Sequence, residues 1–136
     1  MIKRLSHVTV YVQDQEAAKD FYTKAFGFEV REDSEFEGFR WLTVGPKDQP
    51  DLEFILMEPA APMFDEDTAA QLHELVAKGA LGAGVFFTED CRATVEELRS
   101  KGVTILSEPA ERPYGIEATI RDDSGNWYSL TQRIGG

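Results

Sequence analysis

The stretch "LSHVTVYVQD", residues 5–14, sets a histidine inside a run that alternates apolar and polar side chains. His7 has two chemical uses open to it. Its imidazole can ligate a transition metal, or it can hydrogen-bond a bound molecule from the wall of a cavity. The other histidine, His73, lies in a helical pattern and reads as a partly exposed helix residue rather than a ligand. Cys91 is the single cysteine, so neither an internal disulfide nor a sulfur-rich zinc site can form. It follows Asp90 at an expected helix start, where a thiol pKa can fall; a half-buried, inert cysteine is the plainer reading. No glycine-rich phosphate loop precedes a helix, and no serine sits in a nucleophile elbow.

The elements that must position His7 follow from periodicity. "SHVTVYVQDQEAAKDFYTKAFGFEV" reads as strand, turn, helix, strand. Val8, Val10 and Val12 fall on one strand face, and His7, Thr9 and Tyr11 on the other. Asp14 ends the strand where a carboxylate favours the exposed amides of a helix start. Ala17, Ala18, Phe21, Tyr22 and Ala25 form an apolar helical stripe, and Gly27 supplies the exit. "FRWLTV" and "DLEFILM" give two further strands. The second half repeats this grammar in "AGVFFTEDCRATVEELRSKGVTIL", "GIEATI" and "NWYSLTQ". An offset of 76 residues carries Asp14 to Asp90, Val44 to Ile120 and Leu52 to Tyr128, which points to duplication.

The expected fold is α+β: two tandem βαβββ modules, about 1–58 and about 81–134, in one domain spanning 1–136. A linking amphipathic helix is expected at about 65–79, with Leu72, Leu75 and Val76 on its apolar side. Each module's helix covers one face of its sheet, so the valine face belongs under the helix. The His7 face must line something else, most simply the concave side of a curved mixed sheet. Two such sheets facing each other would enclose a cavity.

Composition bounds what that cavity serves. With 42% hydrophobic residues in 136, there is ample material for one core. Asp and Glu number 25 against 14 Lys and Arg, a formal charge of −11. Such a surface repels phosphate backbones and anionic membranes, so neither nucleic acid nor membrane is an expected partner. It attracts a cationic small molecule, although an acidic surface also simply keeps a protein soluble. No segment reads as a signal peptide or bilayer span, and a cytoplasmic location is expected. The long irregular stretch is "MEPAAPMFDED", residues 57–67.

The chain resembles the vicinal oxygen chelate superfamily of glyoxalases, extradiol dioxygenases and bleomycin-resistance proteins. The carriers are "HVTVYVQDQEAAKDFYTKAFGFEV", "TEDCRATVEELRSKGV" and "RDDSGNWYSLTQ". The resemblance implies a homodimer or two-module assembly whose cavities are built from paired βαβββ units. In metal-dependent members the ligands sit on the first and last strands of each unit. The first unit here offers His7 and Glu53. The repeat offset moves them to Ala83 and Ser129, one without a donor atom and one with a poor one. A catalytic divalent site takes at least three protein ligands. No cofactor is therefore expected; the alternative is Fe, Mn, Zn or Ni held by His7, Glu53 and Glu117, the last placed by its correspondence to Trp41.

Alternation puts Phe39, Trp41, Ile55, Phe87, Trp127 and Tyr11 on the concave faces with His7 and Glu53, an aromatic wall suited to stacking a planar ligand. Pro109 and Pro113 should order a loop that brings Arg112 and Tyr114 to the cavity mouth. "DDSGN" reads as a strand-connecting turn in which Gly125 and Asn126 tolerate positive φ. The function this favours is small-molecule binding, sequestering a planar aromatic or cationic compound as antibiotic-resistance relatives do. The alternative is a glyoxalase- or dioxygenase-like enzyme using His7, Glu53 and Glu117 with or without a metal. A third reading is an interaction module whose cavity is vestigial.

Overall fold

A computed structural model describes residues 1–134, so the last two positions of the expected domain lie outside the described residues. The first module runs β1 (His7–Tyr11), α1 (Gln15–Lys24), β2 (Glu29–Phe36), β3 (Phe39–Gly45) and β4 (Glu53–Met57). The linking helix is α2 (Glu66–Ala77). The second module runs β5 (Gly82–Phe87), α3 (Cys91–Ser100), β6 (Thr104–Arg112), β7 (Gly115–Arg121) and β8 (Trp127–Arg133). The sheets have the same order, β1-β4-β3-β2 and β5-β8-β7-β6, each with one parallel pair between its first and last strands. Shared topology on a shared grammar is what duplication produces.

Helix boundaries follow local chemistry. Asp14 and Asp90 each accept a hydrogen bond at 3.0 Å from the backbone N–H three residues on, Ala17 and Ala93. Asp65 does the same for Thr68 at 2.7 Å. Each carboxylate satisfies a donor that the helix leaves without a partner. Gly27 and Gly102 end the first and third helices at φ of 74° and 84°, in the left-handed region that glycine enters without cost.

The helix-covered faces of both sheets contribute to one core. Val10, Val12, Leu42, Val44 and Leu56 come from the first sheet, and Ala118, Ile120, Tyr128 and Leu130 from the second. Ala18, Tyr22 and Ala25 are buried as the stripe requires, whereas Ala17 is exposed. At the junction Tyr22 Oη donates to Asp122 Oδ2 at 2.7 Å and lies 2.7 Å from Tyr128 Oη. Burial, more than any neighbour, raises both phenol pKa values. Asp122 Oδ1 accepts from the N–H groups of Ser124, Gly125 and Asn126 at 2.8–2.9 Å. Asn126 Nδ2 donates both to Asp122 and to the carbonyl of Tyr11 in the other module. The "DDSGN" turn is thus a polar rivet between modules; Gly125 alone has positive φ, and Asn126 serves through its side chain.

Two expectations are corrected. First, one offset does not hold throughout. Val44 pairs with Phe54 and Ile120 with Tyr128, so the third strands are 76 residues apart but the fourth strands only 74. Residues 46–52 join β3 to β4, whereas the shorter 122–126 joins β7 to β8. The counterpart of Glu53 is therefore Trp127, not Ser129. Second, the segment before Tyr114 is not a loop. β6 continues to Arg112, its register shifting twice on the way, because Pro109 sits on an edge strand where its missing N–H costs no ladder bond. The two concave faces carry separate open hollows, one walled by the first sheet with residues 58–63 and one by the second sheet.

Candidate functional site

Strand alternation builds the first hollow. Phe39, Trp41 and Thr43 project from β3 to the face that His7, Thr9 and Tyr11 share on β1 and Glu53, Ile55 and Met57 share on β4. The register sets His7 opposite Glu53, and the side chains meet with Nε2 3.5 Å from Oε2. Thr43, fully buried, donates its hydroxyl to Glu53 Oε1 at 2.7 Å. His7 Nδ1 lies 2.9 Å from Ser6 Oγ, and its ring centroid is 5.9 Å from that of Trp41. Both oxygens of Glu53 are thereby aimed, one fixed from below and one held beside an imidazole. Both His7 and Glu53 remain part-exposed, at 34% and 28% of their side-chain surface.

At the opposite end of the same face an open hollow of about 620 Å³ has Phe36, Phe39, Met57, Pro62 and Met63 in its wall, with Gln15, Glu37, Arg40 and Glu58 among them. Phe36 is 71% exposed and Met63 56%, both at the rim. Tyr11 packs edge-on against Phe64 with centroids 5.6 Å apart, so the irregular 57–67 stretch folds back over the end of β1.

On the second sheet Val85, Phe87, Tyr114, Glu117 and Thr131 line an open hollow of about 600 Å³. Tyr114 Oη donates to Glu117 Oε1 at 2.7 Å, and that bond, before any other influence, raises the phenol's pKa. Arg112 is exposed at the end of β6, beside this hollow's rim in register with Gly115. Trp127 lies at the far end of β8, its ring stacked over the backbone of Gly82. A Cβ on Gly82 would come within 2.5 Å of the indole Cζ2. Glycine is needed there because the indole occupies the space of a side chain.

The expected site residues thus divide. His7, Tyr11, Phe39, Trp41, Glu53 and Ile55 share the first sheet, and Phe87, Tyr114, Glu117 and Trp127 the second. Glu117 does not join His7 and Glu53 within one chain. Among the described residues no three His, Cys, Asp or Glu side chains gather as a metal set. The counterparts of His7 and Glu53, Ala83 and Trp127, carry no metal-donor atom, so the strand positions that give the first module two donors give the second none. His73 is tied up elsewhere: Nδ1 is 2.7 Å from Gln13 Oε1 and Nε2 3.2 Å from the Pro59 carbonyl, clamping α2 to the first module. Cys91 is fully buried, and burial pushes its thiol pKa up, the reverse of activation. Four contributors escaped sequence reasoning: Thr43, Phe36, Met57 and Phe64. The alternation that selects Phe39 and Trp41 also selects Thr43, so its signal was present. Phe64 left none, because nothing local shows where a proline-broken segment folds back.

With this geometry in view, the chain belongs to the Glyoxalase/Bleomycin resistance protein/Dioxygenase superfamily, whose family model matches residues 4–130. Among solved structures it is similar to UcmS2, with 54% identity, a TM-score of 0.93, and coverage of 97% of this chain and 99% of that one. It is also similar to TnmS3, an antibiotic binding protein from Streptomyces sp. CB03234, at 30% identity and TM-score 0.77 over 98% of both chains. An uncharacterised Bacillus subtilis (strain 168) protein, YurT, is 32% identical over 92% of this chain and 95% of its own. No helix among the described residues is long and apolar enough to cross a membrane.

Proposed function

We propose that this protein binds and sequesters a planar aromatic or cationic small molecule, as a homodimer, without a metal and without altering its ligand. The observation that carries this reading is the first concave face, which sets the His7–Glu53 pair beside Trp41 and has an open hollow with Phe36, Phe39 and Met57 in its wall toward its other end. Such a surface offers stacking and one directed polar contact. The antibiotic-binding relative TnmS3, similar along nearly the whole length of both chains, favours the same reading. Each chain presents two half-sites. Two copies paired so that the first sheet of one covers the second sheet of the other would close both and bring Phe87, Tyr114 and Glu117 opposite Trp41 and Glu53.

The test is a titration of tryptophan fluorescence with a panel of aromatic antibiotics, followed by denaturation and recovery of the compound. Trp41 emission should change saturably, and the recovered compound should be unaltered. Silence across the panel would remove the support for sequestration. A chemically converted compound would move the reading to catalysis.

A further inference from the structure

The first concave face is graded along its strands. At one end stand the Glu53 carboxylate, the His7 imidazole and the Thr43 hydroxyl. At the other stand Phe36, Phe39, Met57 and Met63 around an open hollow whose wall also carries Gln15, Glu37, Arg40 and Glu58. Glu53 and Met57 begin and end β4, so at roughly 3.3 Å per residue the ends are about 13 Å apart. That is the reach of a fused polycycle, too long for a single ring.

The polar end is also one-sided in what it accepts. Thr43 occupies Oε1 of Glu53, leaving Oε2, part-exposed, beside the imidazole. A carboxylate has acceptors only. Trp41 stands next to the pair, and an indole face attracts cations. The chain's formal charge of −11 adds a field of the same preference. Resting on the sequestration reading above, we propose that the ligand class is an elongated planar polycycle with a hydrogen-bond-donating, preferably cationic, edge. It binds in one orientation: donor edge on Glu53 Oε2, apolar end between the β2–β3 hairpin tip and residues 60–63. An anionic polycycle of the same shape is refused at Glu53.

Two fluorescent probes of matched shape test this: proflavine, a planar tricyclic cation with amino donors, and anthracene carboxylate, its anionic counterpart. Wild-type protein should bind proflavine at least about tenfold more tightly, the size of one charge-assisted hydrogen bond. Glu53→Gln keeps the shape and the Thr43 contact but removes the charge, and should abolish that preference. Phe36→Asp alters a rim residue at the other end and should weaken both probes. Equal binding of both probes by wild type, or equal loss of both in Glu53→Gln, would overturn the orientation while leaving sequestration intact. Binding of neither probe would overturn both.

Discussion

Glu53 works as a fixed acceptor only because Thr43 holds it. The Thr43 hydroxyl is fully buried, and Glu53 Oε1 is the partner it donates to. Thr43→Val keeps the volume and removes the donor, so stability should fall by about 1 kcal/mol, and proflavine affinity should fall with it. Thermal melts and the same titration measure both; a variant with reduced stability but unchanged affinity would show that Thr43 serves only the fold. Asp33 presents a second residue-scale case. Its hydrogen bonds to Arg40 at 2.9 Å and to Lys19 at 2.9 Å hold its carboxyl well below the usual 3.8. A depressed folded-state pKa contributes stability above pH ~4 that is lost as the pH falls through the acid range. Asp33→Asn should therefore cost about 1 kcal/mol at neutral pH, the modest size expected of a part-exposed ion pair. The gap between variant and wild type should close in acid, and urea melts at pH 7 and below pH 4 read it directly. Residue types made His7, Glu53 and the aromatic wall legible in the sequence. The acceptor geometry at Glu53 was not legible, because it depends on a side chain from another strand.

The loops, not the strands, are where the modules diverge. Residues 46–52 are held mainly by Arg31, which donates to the carbonyls of Pro46 at 2.7 Å and Pro50 at 2.9 Å, with Gln49 and Leu52 at 3.3 and 3.4 Å, while Arg4 donates to the Asp51 carbonyl at 3.0 Å. Gly45 is required beneath it, since a Cβ there would run into the guanidinium and the Leu52 carbonyl. Arg31→Ala should leave the sheets intact and release this segment, seen as faster hydrogen exchange confined to 46–52; protection unchanged there would mean the turn holds itself. This loop is also why one repeat offset failed. Its two extra residues leave β1, α1 and β3 in phase with their counterparts and put β4 out of phase by two. A slip of two keeps every side chain on its own face, so the alternation stayed right while the Glu53 counterpart came out wrong. β6 was missed for a related reason. Prolines at 109 and 113 signal a loop, and only the sheet shows that β6 is an edge strand, where proline is tolerated.

At the scale of the molecule the two modules are one folding unit with two unfinished surfaces. The Tyr22–Asp122–Tyr128 cluster and the apolar residues around it belong to both modules, so neither half keeps its core alone. Asp122→Ala strands a set of buried donors and should cost about 3 kcal/mol or more, lowering the melting temperature in a single transition rather than splitting it in two. The concave faces raise the opposite question, of surface that stays uncovered. Val85 is 71% exposed and Phe87 56% on the second sheet, and Phe36 is 71% exposed on the first. Apolar side chains exposed in register on a sheet face mark a surface that meets something. If a second copy supplies the cover, light scattering should give twice the chain mass at micromolar concentration. Val85→Asp with Phe87→Asp should give a monomer that keeps its circular dichroism and loses proflavine. A wild-type monomer that still binds proflavine tightly would place the whole site on the first sheet and leave Phe87, Tyr114 and Glu117 outside it. The purified protein also carries the metal question, because the proposed pairing would set Glu117 of one copy against His7 and Glu53 of the other. Elemental analysis should find far less than one Mn, Fe, Zn or Ni per chain. A full complement, released together with activity by a chelator, would make the three donors a catalytic centre and the aromatic wall its substrate pocket.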